Sequence, residues 1–233
     1  MKNPNPRDLR IGQFLSRCGL CSRREAADFL RKHKVIFEGK QIQELNFRIS
    51  EDATILVDGK PTKVMHQEIV VLFNKPPGYI CSHNEQRGKK SMFRLLPKTY
   101  KSLFFAGRLD EMSRGLVILS GDGDLIYSLS HPSHEIEKEY IVRLSRPIDE
   151  RERQKLLQGI YCQNEKLFAH RVETIHPTCY RIVLTQGKNR QIRRMFARLG
   201  VDIKDLERTR IGSFELGDLS QGQYRVIAHK KPA

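Results

Sequence analysis

The feature that most limits the fold is a change of hydrophobic period near residue 68. Before it, Ile11, Phe14, Leu15 and Cys18 recur at helical spacing. After it, apolar runs of strand length dominate, at residues 69–73, 116–119, 140–144, 168–175, 180–185 and 201–207. Helical stretches at about 124–130, 149–158 and 189–199 are interleaved with them. Few of these combinations form strict βαβ units. The pattern therefore predicts an α+β chain, with a catalytic-sized domain on a mixed or antiparallel sheet with flanking helices, rather than a doubly wound fold.

The part before the break reads as a small unit of its own. Two helices joined by a turn span residues 9–34, and Gly19 is a natural stop for the first. Ser22-Arg23-Arg24-Glu25 has the capping-box pattern, which predicts a helix start there with free amides beside Arg23 and Arg24, suited to a phosphate. Ala26, Ala27 and Leu30 form the apolar side of that helix, and Arg31 faces solvent. Residues 35–40 and 54–60 each read as a short strand entering a Gly turn. The expected organisation is 1–60 for this unit, 61–67 for a polar linker, 68–229 for the larger domain, and 230–233 for a frayed tail.

Charge narrows the partners. Lys and Arg total 42 against 27 acids, a formal charge of +15. That balance favours a polyanion, with RNA first. No apolar run approaches the roughly 20 residues of a membrane span. The first residues, Met1-Lys2-Asn3-Pro4, carry no apolar signal region. A cytoplasmic protein with no membrane partner is expected. No extra apolar face stands out, so a monomer is expected too. The Cys count is 5, and only Cys18 and Cys21 are closely spaced. They read as small buried or half-buried thiols rather than a metal or redox pair.

Two segments are candidates for chemistry. Gly107-Arg108-Leu109-Asp110, then Ser113-Arg114-Gly115, places one carboxylate in a tight basic loop just before an apolar run. In the second, a helix over 189–199 would bury Ile192, Met195, Phe196 and Leu199. Arg190, Arg194 and Arg198 would then look outward toward phosphates. Arg193, on the flank, would be free to bend toward a carboxylate. Gly121-Asp122-Gly123-Asp124 lacks the continuation of a calcium loop. His131 and His134 have no acidic or Cys partner at ligand spacing. Ser113 lacks the GxSxG elbow of a hydrolase. No metal site is expected.

These segments carry two resemblances. Arg10-Ile11, Ser22 to Ala26, and Val35 through Gly39-Lys40 resemble the αL RNA-binding domain, which also occurs in a small-subunit ribosomal protein and some tyrosyl-tRNA synthetases. His33-Lys34 stands where that family usually has a Gly before the Val. The ordered set Gly107-Arg108-Leu109-Asp110 with Ser113 and Gly115, Lys138-Glu139-Tyr140, and Arg190-Gln191-Ile192-Arg193-Arg194-Met195 resembles the signature segments of bacterial rRNA pseudouridine synthases. The likeness is greatest to the group with an N-terminal αL domain, and Lys75-Pro76-Pro77-Gly78 resembles a loop of that family near the catalytic loop.

The resemblance implies site-specific isomerisation of uridine in ribosomal RNA, on free RNA or on assembly intermediates. It implies no cofactor, because the reaction involves no redox change. Asp110 matches the essential aspartate, Arg193 the arginine that pairs with it, and Tyr140 the tyrosine that stacks on the target base. Arg108 matches a residue near the displaced nucleotide, since a stacked uridine must be flipped out. Arg10, Ser22, Arg23, Arg24, Arg31, Lys75, Arg190, Arg194 and Arg198 complete the expected RNA contacts. The motifs are shared by synthases of either ribosomal subunit, with a slight preference here for the large one. A non-catalytic RNA-binding or assembly factor explains the charge equally well, but not the joint occurrence of Asp110, Tyr140 and Arg193.

Overall fold

The computed structural model describes residues 8–21, 23–64 and 69–228. The chain forms two compact units. One takes in the described residues up to 64 together with Lys101–Leu103, and the other the remainder.

In the first unit the strands are β1 (Asp8–Arg10), β2 (Val35–Phe37), β3 (Lys40–Gln41), β4 (Arg48–Ser50), β5 (Thr54–Val57) and β6 (Lys60–Lys63), and the helices α1 (Ile11–Arg17) and α2 (Ala26–Lys32). One sheet runs β3-β2-β5-β6, and β1 pairs with β4. The predicted apolar face of α1 is buried: Ile11, Phe14 and Leu15 pack with Leu30, Val35, Ile49 and Ile55. Gly19 takes φ +74° just after α1, the left-handed conformation that lets the chain turn away. Two expectations are corrected. α2 begins at Ala26 with Glu25 at its N-cap, and the predicted cap Ser22 lies outside the described residues. The linker drawn at 61–67 starts later, because Thr54–Val57 pairs with Lys60–Lys63 as a hairpin. Its polar side chains sit on an edge strand, which is why composition alone reads as linker.

The second unit is built on β7 (Ile69–Lys75), β8 (Tyr79–Ile80), β9 (Lys90–Ser91), β10 (Phe104–Ala106), β11 (Arg114–Ser120), β12 (Lys138–Leu144), β13 (Ile160–Cys162), β14 (Glu165–Leu167), β15 (Arg171–His176), β16 (Cys179–Leu184), β17 (Ile203–Ile211), β18 (Phe214–Glu215) and β19 (Tyr224–Ala228). Its helices are α3 (Gly123–Ser130), α4 (Glu150–Gln158) and α5 (Gln191–Arg198). The main sheet runs β15-β16-β12-β17-β11-β7-β19, with β10 added to β11 and β18 to β17. All its pairings are antiparallel except β11 with β17, so the expected α+β architecture on a mixed sheet is what forms.

The main sheet forks at β11. One edge of β11 is paired continuously with β7 from Gly115 to Ser120. Its other edge pairs with β17 only at Arg114 and Gly115, then with β10 at Ile118 to Ser120. β7 and β11 are buried on both faces, which is why they read as unbroken apolar runs. β12 alternates between buried and partly exposed residues, as a half-covered strand should. The pairing of β12 with β17 slips by one residue between Glu139 and Tyr140, a bulge that leaves Thr209 unopposed.

Candidate active site

The candidate carboxylate sits on the loop that joins β10 to β11, at the fork. The loop is short and its backbone is held at almost every step. Gly107 takes φ +68°. The Leu109 N–H donates to Cys81 Sγ at 3.3 Å. The Ser113 N–H donates to the Asp110 carbonyl at 3.1 Å, closing a turn around the acid. Glu111 is gripped from the β7–β8 turn: the Gly78 N–H donates to its carbonyl at 2.9 Å and Lys75 Nζ reaches the same oxygen at 3.3 Å. Its side chain is paired with Lys89 at 2.6 Å.

Asp110 is left about a quarter exposed (side chain 26%), so the carboxylate is open to a ligand while its backbone is fixed. Two guanidinium groups face it. Arg190 Nη1 lies 3.6 Å from Oδ2 and Arg193 Nε 3.7 Å from the same oxygen. Both are ion-pair distances, longer than a hydrogen bond. Arg193 Nη2 instead donates to Ser113 Oγ at 3.1 Å and the Met112 carbonyl at 3.3 Å. The guanidinium thus grips the loop that carries the acid, and its Nε is a buried donor with no hydrogen-bond partner among the described residues. Burial pushes the Arg193 pKa down and Asp110 pulls it back up. An acid flanked this way is oriented by the two guanidinium groups that face it.

The sequence expects Arg190 on the outward face of a helix. It is instead the N-cap of α5, with φ +49°, outside the helical register. That left-handed turn, uncommon for a residue with a Cβ, accompanies the placement of its side chain beside Asp110. Arg198 is exposed near the end of α5, as its spacing predicts, and Arg108 is exposed beside Asp110. Ile192, Met195 and Phe196 are buried, as expected, while Leu199 is only partly so.

Two expected RNA contacts are corrected. Lys75 is fully buried and donates to the carbonyls of Pro76 at 2.9 Å, Tyr79 at 2.7 Å and Glu111 at 3.3 Å. Arg194 Nη1 bonds Glu165 at 2.9 Å, and its Nη2 bonds the Cys162 carbonyl at 2.7 Å, tying α5 to the β13–β14 hairpin. Neither cation is turned outward to a phosphate. In the first unit Arg10, Arg23 and Arg24 are exposed, and Arg31 is exposed and paired with Asp28. Burial pushes the Cys18 thiol up to about 12.

Tyr140 is buried in β12 next to the bulge. Directly opposite it on β17 is Arg208, and opposite Arg208 on β11 is Gly115. Tyr140, Arg208 and Gly115 therefore form one row across three strands, ending at the loop of Asp110. That Lys75, Lys138 and Arg208 are buried, and that the Cys81 thiol meets the Asp110 loop, escapes a reading of the sequence. A Lys or Arg in a charged chain reads as solvated, and no spacing marks these as interior.

The match to known proteins is direct. A family model described as RNA pseudouridylate synthase covers residues 69–198, more than half of the chain. The chain belongs to this family. Its relatives include an RNA pseudouridine synthase of Aquifex aeolicus, 30% identical over 96% of this chain and 94% of that one. They also include the ribosomal small subunit pseudouridine synthase A of Escherichia coli, 30% identical over 97% of this chain and 99% of that one. Among solved structures, a pseudouridylate synthase superposes with a TM-score of 0.68 at 27% identity, covering 94% of this chain and 96% of that one. The activity of a pseudouridine synthase is the isomerisation of uridine to pseudouridine in RNA. No described helix is long and apolar enough to cross a membrane.

Proposed function

We propose that this synthase acts on ribosomal RNA of the small subunit, using Asp110 as its essential carboxylate. The reaction breaks the bond between ribose carbon 1′ and base nitrogen 1 and forms one between carbon 1′ and carbon 5. Carbon 5 gives up its proton, nitrogen 1 takes one, and no electron is gained or lost. A charged carboxylate can serve as nucleophile or base in that sequence. The observation that carries the reading is Asp110 itself, a partly open carboxylate between two guanidinium groups on a loop pinned along its length.

Arg193 would keep Asp110 aimed, and Tyr140 would pack against the extruded uracil. Arg108, Arg190 and Arg198 would take phosphates around the flipped nucleotide. Arg10, Arg23, Arg24 and Arg31 would form a second phosphate-contacting surface on the small unit. The larger domain would carry the chemistry alone, as a monomer in the cytoplasm, on free ribosomal RNA or an assembly intermediate. The name of the Escherichia coli relative moves the preference from the large to the small subunit. The test is to treat unmodified RNA of each subunit with the protein and map pseudouridine. A new site in small-subunit RNA is expected; modification confined to large-subunit RNA would refute the choice.

A further inference from the structure

We propose that Arg208 is a positioning residue for the reaction: its guanidinium staples the fork of the main sheet and so fixes the loop that presents Asp110. Where β11 parts from β17 and has not yet met β10, the edge of β11 away from β7 has no strand partner among the described residues. Leu116, the first residue beyond the β17 pairing, lies in that gap, and Gly107 follows the end of β10. Arg208 fills it. Its Nε donates to the Leu116 carbonyl at 2.8 Å and its Nη2 to the Gly107 carbonyl at 2.6 Å. One planar group thus ties the start of the Asp110 loop to the strand that leaves it.

The side chain is 1% exposed, so this is no surface cation. No carboxylate appears among the buried charged residues described, which are Lys75, Lys138 and Arg208. A buried charge held only by carbonyls is costly to keep, and an apolar residue of like size would avoid that cost. An arginine here supplies what an apolar residue lacks: two divergent donors in a rigid plane. One glycine leaves room for the guanidinium, and another for the backbone that carries it. A Cβ on Gly107 would stand 2.8 Å from Arg208 Nη1, and a Cβ on Gly115 2.3 Å from the Arg208 carbonyl oxygen. This role rests on the reading of Asp110 as the reacting carboxylate.

Arg208→Lys tests it, because lysine keeps the charge but not the two-pronged bridge. Steady-state turnover is measured per folded molecule on unmodified ribosomal RNA, with Asp110→Asn alongside and thermal unfolding of each protein. A misplaced acid should lower kcat about 10²-fold. KM and the RNA dissociation constant should stay within about threefold, since the substrate contacts remain. A purely structural residue would lower the unfolding temperature and leave kcat of the folded fraction intact. That result, with Asp110→Asn inactive, would overturn the proposal. Activity surviving in Asp110→Asn would instead remove Asp110 from its role, and the positioning role of Arg208 with it. If Arg208→Lys does not fold, Gly107→Ala decides: it crowds the guanidinium from the loop side and should give the same kcat loss with KM preserved. Wild-type kcat in Gly107→Ala would then overturn the proposal.

Discussion

Arg193 holds the loop of Asp110 rather than the carboxylate alone: its Nη2 is bonded to Ser113 and Met112, while its unpartnered Nε waits 3.7 Å from Asp110 Oδ2. A small movement of either group would bring Nε to bonding distance. Charge and grip are separable by substitution. Arg193→Lys keeps a cation but not the fork, and should lower kcat by about 10- to 100-fold while RNA affinity changes little. Single-turnover rates at saturating enzyme check this; an unchanged rate would show that charge alone suffices.

Gly115 and Gly78 both have positive φ, +109° and +82°, yet differ in what surrounds them. A Cβ on Gly115 would meet the Arg208 backbone at 2.3 to 2.9 Å, whereas one on Gly78 would meet nothing within 4 Å. Gly115→Ala should therefore cost about 3 kcal/mol or more, and Gly78→Ala about 1 kcal/mol. Denaturant unfolding of the two variants measures the gap. Equal costs would mean that the fork relaxes easily.

Lys75 gives a pH signature. Burial pushes its pKa from 10.5 down to about 8. Between those values the unfolded chain binds the proton more tightly than the folded one, so the contribution of Lys75 to stability rises with pH across that window. The stability of the wild type relative to Lys75→Met should accordingly improve between pH 8 and about 10. Unfolding temperatures of both proteins across that range check the sign. A difference that stays flat or moves the other way would place the proton elsewhere.

The cations divide into those exposed to solvent and those buried. Arg108 and Arg190 are exposed, whereas Lys75 is spent on carbonyls. Replacing Arg108 or Arg190 with Gln should reduce the slope of log affinity against log salt by about 1 each. Lys75→Met should leave the slope unchanged if the fold survives. Binding titrations at several salt concentrations distinguish the two groups.

What was legible in the chain follows from periodicity. The α5 face of Ile192, Met195 and Phe196 and the doubly buried runs of β7 and β11 announce themselves, because burial imposes 3.6-residue or unbroken apolar patterns. The carboxylate at Asp110 stands out through its basic loop and its motif, and the approach of Arg193 through helical spacing and the motif together. β19 was not legible, because none of its residues is fully buried and its sequence alternates too weakly. The roles of Lys75 and Arg208 were hidden for a different reason. Their partners are backbone carbonyls, both near and far in the chain for Lys75 and far for Arg208, and a carbonyl has no letter in the sequence. Arg194 was misplaced because helical geometry gives a direction, not the Glu165 and Cys162 groups that wait there.

The most direct test is tritium release from ribosomal RNA labelled at uracil carbon 5, comparing the wild type with Asp110→Asn. Wild-type protein should release label with formation of pseudouridine, and Asp110→Asn should bind the same RNA and release none. Release by Asp110→Asn at the wild-type rate would contradict the account.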